Sequence, residues 1–275
     1  MLGPTDTDIN AEAAAAVAGS TMSPAFEVIE GDINRGLIIL CDHATNIIPK
    51  EYETLGLCEQ QLARHIAYDI GVEQVTRRLA ESLQVPAALS KFSRLLIDPN
   101  RGLDDPTLVM RLSDGAVVPG NATIDQAEID NRVRDYYMPY DGAVRAMIDR
   151  SIEHGVVPAL LSIHSFTPMW RGYPRPWHAG VLWDRDGRFA VPLIKALQME
   201  SGLVVGDNEP YSGELEGDMM NRHGTGRGLA HALIEIRQDL IAETSDAVAW
   251  GERLASLLPE ILATDSLHHI LSRPS

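Results

Sequence analysis

Cysteine is nearly missing from this chain. Cys41 and Cys58 are the only two in 275 residues, and they lack the paired spacing of a thiolate metal site. Two thiols in a chain of this length are no disulfide framework and read as reduced cytosolic thiols. Aromatic side chains are also scarce, at 5% of residues. Positive charge is in short supply, with 23 Lys and Arg against 39 Asp and Glu and a formal net charge of −16. That balance, without any run of five basic residues, excludes a surface built for nucleic-acid phosphates or anionic lipid. No apolar stretch approaches the roughly 20 residues of a membrane span. Residues 1–22 hold an Ala-rich segment, Ala11–Ala18, with no basic residue before it and too short an apolar centre for a secretory signal. It reads as a flexible or frayed tail, and cytoplasmic location is the default.

What the chain does have is aliphatic material, 45% of it hydrophobic, in short runs spaced by helical patterns. Strand-like runs are Leu37–Cys41, Ala87–Leu89, Leu95–Ile97, Val157–Ile163, Gly180–Trp183, Val204–Val205 and Ala232–Ile236. Between them, helices are expected over Glu59–Gln84, from a capping box at Thr123 and Gln126 to His154 with a break at Pro139, over Val191–Ser201 and over Ser245–Leu262. Gly102–Asn121, Thr167–His178 and the Asp/Asn/Glu/Gly-rich stretch 207–228 read as loops, the last as an active-site loop. No internal repeat and no linker divides the chain. The expected fold class is therefore α/β, a single domain over 23–275 with a mostly parallel central sheet and helices on both faces.

Two of the aliphatic runs end in histidine: His43 after Leu37–Cys41 and His164 after Val157–Ile163. Ligands collect at the carboxyl ends of strands in open α/β sheets, so two imidazoles delivered there suggest a metal-assisted site. The bland alternative is a satisfied strand-end histidine. Asp42 or a carbonyl can fix the tautomer of His43, and Asn46, an uncommon zinc ligand, reads as a supporting group. His65 and Asp69 stand four apart on one expected helix face, a spacing that suits a chelate or a solvated pair. Ser93-Arg94-Leu95-Leu96-Ile97-Asp98-Pro99-Asn100-Arg101 carries two guanidinium groups that can grip a carboxylate or an oxyanion, unless Asp98 and Arg101 only pair with each other. Glu235, inside an aliphatic strand, must be paired, bound or raised in pKa; raised, it suits a general base, and pairing with Arg237 is the alternative. Ser162 and Ser165 lack a Gly-x-Ser-x-Gly elbow. His178, His223, His231, His268 and His269 fall in loops, at a strand start or near the C-terminus. Trp170, Trp177, Tyr173 and Tyr211 wall a pocket or pack a core. Gly224-x-Gly226-x-Gly228 precedes a strand, not a helix, and is no phosphate loop.

Taken together, these residues resemble the N-formylglutamate amidohydrolase family from about Leu37 to Leu240. The markers are Cys41-Asp42-His43-Ala44-Thr45-Asn46 with Pro49, His65 with Asp69-Ile70-Gly71, Ser93-Arg94 with Asp98-x-Asn100-Arg101, Ser162-Ile163-His164-Ser165, Gly180-Val181-Leu182-Trp183, Asp207-Asn208-Glu209-Pro210-Tyr211-Ser212-Gly213 and Glu235-Ile236-Arg237. The family is similar to zinc carboxypeptidase-like and peptidoglycan-amidase-like hydrolases, so the resemblance implies a hydrolase-like, zinc-exopeptidase-like sheet. It implies Zn2+, or another divalent metal such as Co2+ or Mn2+, held by His43, Asp69 and His164. Where the carboxypeptidase pattern has Glu three residues after the first His, this chain has Asn46; the amidase pattern points to Asp69, with His65 in reserve. Glu235 is implied as the base, and Arg94 and Arg101 as oxyanion and carboxylate groups. Asn100, Asn46, Ser165, Asn208 and Tyr211 are implied in substrate binding. The implied reaction removes the N-formyl group of a small-molecule substrate such as N-formyl-L-glutamate, in a monomer or small homo-oligomer. Two alternatives stay open: a metal-dependent amidase acting on another N-acyl amino acid or a cell-wall fragment, and a non-catalytic binding protein of the same fold.

Overall fold

Successive residues of a strand point to opposite faces of its sheet, and here that alternation decides where the polar groups go. A computed structural model describes residues 24–272; the expected tail over 1–22 lies outside them. In chain order the elements are β1 (Phe26–Ile29), β2 (Leu37–Cys41), α1 (Glu59–Leu62), α2 (Val72–Leu83), β3 (Ala87–Ser90), β4 (Leu112–Ser113), β5 (Ala116–Val117), α3 (Gln126–Arg132) and α4 (Met138–Glu153). They continue with β6 (Ala159–Phe166), β7 (Met169–Trp170), β8 (Tyr173–Pro174), β9 (Ala179–Leu182), α5 (Gly187–Met199), β10 (Val205–Asp207), β11 (His231–Arg237) and α6 (Thr244–Leu262).

Seven strands form one sheet in the order β1-β3-β2-β6-β11-β9-β10. The central four, β3, β2, β6 and β11, are parallel. β9 runs antiparallel to β11 with β10 parallel to it, and β1 closes the other edge antiparallel. Leu37, Ile39 and Cys41 of β2, Leu161 and Ile163 of β6, and Ala232, Ile234 and Ile236 of β11 enter one core with α2, α5 and α6. Helix α2 belongs there because Val72, Val75, Thr76 and Leu79 recur at helical spacing and are buried. The intervening residues Ile38, Leu40, Leu160 and Leu233 meet Tyr140, Val144 and Ile148 of α4 on the opposite face. Each such aliphatic side chain contributes about 1.5–3 kcal/mol by leaving water. The expected single α/β domain with helices on both faces is what forms.

Several local expectations need correction. The helix foreseen over Glu59–Gln84 is two helices, α1 and α2, separated by turns. Gly71 sits at φ +84, and a Cβ there would run into the Ile241 carbonyl, so the chain turns where the apolar period carries on. Leu95–Ile97, expected as a strand, is buried turn and loop. The helix after residue 123 is capped by Asp125, whose side chain accepts from Glu128 N, not by Thr123. Pro139 does not break it: a π turn over Val133–Tyr137 shifts the hydrogen-bond register ahead of the proline, and α4 continues. The strand expected at Val157–Ile163 is shifted to Ala159–Phe166, and the Thr167–His178 loop contains the small hairpin β7–β8. β1 has no counterpart in the sequence reading. No described helix is long and apolar enough to cross a membrane.

Candidate active site

The polar groups occupy the carboxyl ends of β2, β6 and β11, on the face that carries Ile38 and Leu40. There the alternation continues as Asp42 after β2, Ser162 and His164 in β6, and Glu235 in β11, with Glu235 registered against His164. All four are buried. Asp42 accepts from Ser162 Oγ (2.9 Å), Tyr140 Oη (2.8 Å) and His164 Nε2 (3.1 Å). His43 turns Nε2 to Asp98 Oδ1 at 2.7 Å. An ionised carboxylate only accepts, so both rings carry hydrogen on Nε2 and present Nδ1 on the other side.

Both Nδ1 atoms face Asp69. His164 Nδ1 lies 2.9 Å and His43 Nδ1 3.5 Å from Asp69 Oδ2, and the two rings meet edge to face with centroids 4.9 Å apart. Asp69 is not on a helix, as the i,i+4 reading with His65 required. It stands in the turns between α1 and α2, where Asp69 N donates to the His43 carbonyl at 3.0 Å and Ser165 N donates to its Oδ2 at 3.1 Å. His65 instead lies at the cavity rim, 3.5 Å from Asp114.

Electrostatics hold these acids ionised. Burial opposes charge on Asp69, but His43 and His164 outweigh it and keep its pKa well below the carboxylate range. Asp98 is buried too, and Arg94, His43 and Arg101 hold it low. Arg94 does so directly, donating from Nε and Nη2 to Asp98 Oδ2 at 3.1 and 2.8 Å, with Nη1 3.4 Å from Asp69. Asp98 therefore pairs with Arg94 and His43 rather than with Arg101. For His164, burial disfavours the charged ring, yet the hydrogen bonds to Asp42 and Asp69 raise its pKa well above the usual value.

Glu235 behaves differently. It is 7% exposed, its Oε2 has no hydrogen-bond partner, and Arg237 pairs with Asp239 instead. Burial pushes its pKa up to about 7 against the opposing pull of His164.

One nitrogen in the cluster is buried and unsatisfied, His43 Nδ1. It belongs to a set, with Asp69 and His164, whose ligand atoms all lie within 4.8 Å of one another. Ligands about 2.0–2.1 Å from a tetrahedral zinc stand about 3.3 Å apart. The donor set and its spacing therefore fit a divalent cation, with Asp98 and Asp42 behind the two imidazoles.

A cavity of about 280 Å3 opens onto this cluster, lined by His43, Asp69, His164, Glu235, Arg94, Asn100, Arg101 and Ser165, with Phe166, Trp170, Trp183 and Tyr211 as an aromatic wall. Asn46 and Asn208 do not line it. Asn46 Nδ2 donates to the Leu62 carbonyl, and Asn208 Oδ1 accepts from Trp183 N and Gly213 N, so each fastens a loop. Arg101 reaches Asp105 only at 4.0 Å and is the less encumbered of the two guanidinium groups. Asp218, not singled out from sequence, also lines the cavity, and burial pushes its pKa up to about 6. Its only signal was membership of the acid-rich stretch 207–228. His223 pairs with Asp141, and His178 accepts from Val204 N, both away from the cluster.

The model of the N-formylglutamate amidohydrolase family matches residues 35–242. A solved structure of a gene product of Agrobacterium tumefaciens is similar at 32% identity with a TM-score of 0.82, covering 88% of this chain and 96% of that one. An N-formylglutamate amidohydrolase of Ralstonia eutropha shares the fold at 20% identity and a TM-score of 0.65, covering 86% of this chain and 97% of that one. No curated protein matches the chain.

Proposed function

The chain belongs to the N-formylglutamate amidohydrolase family, and from that premise we propose that it is a metal-dependent amidohydrolase that cleaves the N-formyl amide of an acidic amino acid such as N-formyl-L-glutamate. The products are formate and the free amino acid. The observation that carries the reading is the convergence of His43 Nδ1, His164 Nδ1 and Asp69 beside a buried, unpartnered Glu235 in one cavity.

His43, Asp69 and His164 hold the cation. When bound, a divalent cation supplies Lewis acidity, polarising a carbonyl oxygen and making water a stronger acid. Glu235 takes the proton of the attacking water on its free carboxylate oxygen. With a pKa near neutrality it then returns that proton to the departing amine nitrogen. Arg94 positions Asp69 and Asp98 and faces developing negative charge on the carbonyl oxygen. Arg101 and Asn100 receive the α-carboxylate, Asn100 being fixed by Met219 N donating to its Oδ1 at 2.9 Å. Ser165 donates from its backbone to Asp69 and Tyr211 closes the wall.

The test is elemental analysis of the purified protein, then hydrolysis assays over N-formyl, N-acetyl and N-succinyl amino acids with zinc, cobalt or manganese. Turnover of N-formyl substrates with stoichiometric divalent metal is the expected result. Turnover restricted to another acyl group would move the substrate and keep the reaction. Inactivity with full metal loading would overturn the reading.

A further inference from the structure

The cavity is longer than the metal cluster requires. His231, Leu233 and Glu235 alternate onto one face of β11, and all three line it. Four residues of strand span about 13 Å, so the cavity has an arm running from Glu235 back toward the amino end of β11. Leu182 of β9 is registered against Leu233, and the two form an apolar floor, each 6% exposed. Leu215, Met220 and Thr225, from the stretch after β10, complete the lining.

This arm carries no cation. Among the described residues that line the cavity, Arg94 and Arg101 are the only arginines, and no lysine joins them. Both follow β3, which lies two strands from β6 on the side away from β11 and β9. At the arm's end, His231 Nδ1 lies 2.8 Å from the Leu229 carbonyl, which only accepts, so the ring carries its hydrogen on Nδ1. Nε2 then accepts from Thr225 Oγ1 at 3.3 Å. Burial holds the pKa of His231 below its usual value, and the imidazole stays neutral.

Removal of a formyl group leaves the arm unused. With the α-carboxylate at Arg101 and Asn100 and the carbonyl beside Glu235, a trans amide directs the carbonyl substituent away from the amino acid, toward β11 and β9. In a formyl group that substituent is a hydrogen. A carboxylate in the arm would find no counter-charge, and burying one unpaired is costly.

We propose that the arm along β11 is a specificity subsite that receives an uncharged acyl chain of several carbons, so that the enzyme takes N-acyl amino acids beyond the formyl derivative. This rests on the reading of the cavity as an N-acyl amino acid site.

The experiment measures binding, free of turnover, by calorimetry on zinc-loaded Glu235→Gln. The ligands are the N-formyl, N-butanoyl, N-isocaproyl and N-succinyl derivatives of L-glutamate. The last two match in shape and differ in charge. Kd should fall about fourfold for each methylene buried, and at least about tenfold from formyl to isocaproyl. The succinyl derivative should bind at least about tenfold more weakly than its isocaproyl isostere. Adding Leu233→Phe fills the arm and should erase the gain with chain length, with the formyl derivative's Kd kept within about twofold. Thr225→Lys, at a half-buried position, puts a cation at the arm's end and should reverse the order of the isosteric pair. A flat series in the parent, tighter succinyl binding there, a gain that survives Leu233→Phe, or an unchanged order in Thr225→Lys would overturn the proposal. Turnover by the unsubstituted enzyme reports separately on the reaction. Formate release without the chain-length gain would sink the arm and keep the function, and the gain without hydrolysis of any derivative would do the reverse.

Discussion

The two faces of the same three strands differ in what burial is used for. On the side of α2, α5 and α6, Leu37, Ile39, Cys41, Leu161, Ile163, Ile234 and Ile236 form a continuous apolar layer. On the other side the aliphatic positions Ile38, Leu40, Leu160 and Leu233 give way toward the carboxyl ends to Asp42, Ser162, His164 and Glu235. Those four are as buried as the leucines behind them; Asp42, Ser162 and His164 hold one another in place by hydrogen bonds, while Glu235 stands beside them without one. One face stabilises the sheet by area removed from water. The other gives up such area to fix charged groups in position, which costs stability but restrains imidazoles and carboxylates at the floor of the cavity.

Substitutions should separate the two faces. The largest effect is expected from His164→Ala or Asp69→Ala: activity falls to background and elemental analysis shows the divalent metal gone. Next is Glu235→Gln, which should slow turnover by about a hundred- to ten-thousand-fold while metal content stays intact, the usual scale for a general base. Near-full turnover in that variant would remove Glu235 from its role. On the apolar face, Leu161→Ala or Ile234→Ala should cost about 2–5 kcal/mol in denaturant unfolding, and the protein that remains folded should keep its kcat. If kcat dropped with stability unchanged, the division between the faces would be wrong. Asp98→Asn is expected to weaken metal affinity by about ten- to a hundredfold in a chelator competition, because it loosens the His43 ring without removing it.

The smallest effect concerns pH and is read on the metal-free protein. The pKa of Glu235 stands at about 7 in the folded state against the ordinary 4.5. A carboxyl raised on folding adds no penalty while it is protonated in both states, below 4.5. Its penalty grows as pH rises from 4.5 to 7 and is full above 7. Glu235→Gln should therefore be more stable than the unsubstituted chain at pH 8, and that advantage should shrink as pH is lowered toward 4.5. An advantage that did not change with pH in thermal unfolding would show that Glu235 is not a buried carboxylate of raised pKa.

Much of this could be read from the sequence because buried parallel strands are written as unbroken aliphatic runs, and a polar residue at their ends stands out. His43, His164 and Glu235 were legible for that reason, as was the α/β sheet. Asp69 was singled out, but on the wrong local structure. Leu62, Ile66, Ile70, Val75 and Leu79 keep a helical period, and only the close approach of Gly71 to Ile241 interrupts it, a tertiary contact that no local pattern encodes. Leu95–Ile97 misled in the same way: its apolar residues are buried in turns, not in a strand. Asp218 left no trace in periodicity. It is one charged residue in a loop, and its place in the cavity comes only from which walls the fold sets around it.

The most direct test is X-ray absorption at the metal edge of the zinc-loaded protein, paired with its elemental stoichiometry. About one zinc per chain is expected, with scattering from two imidazoles and light oxygen or nitrogen ligands near 2.0–2.1 Å, and with the imidazole signal halved or the metal lost in His43→Ala. Stoichiometric zinc whose spectrum lacks imidazole, or retains both imidazoles in that variant, would contradict a centre built from His43, Asp69 and His164.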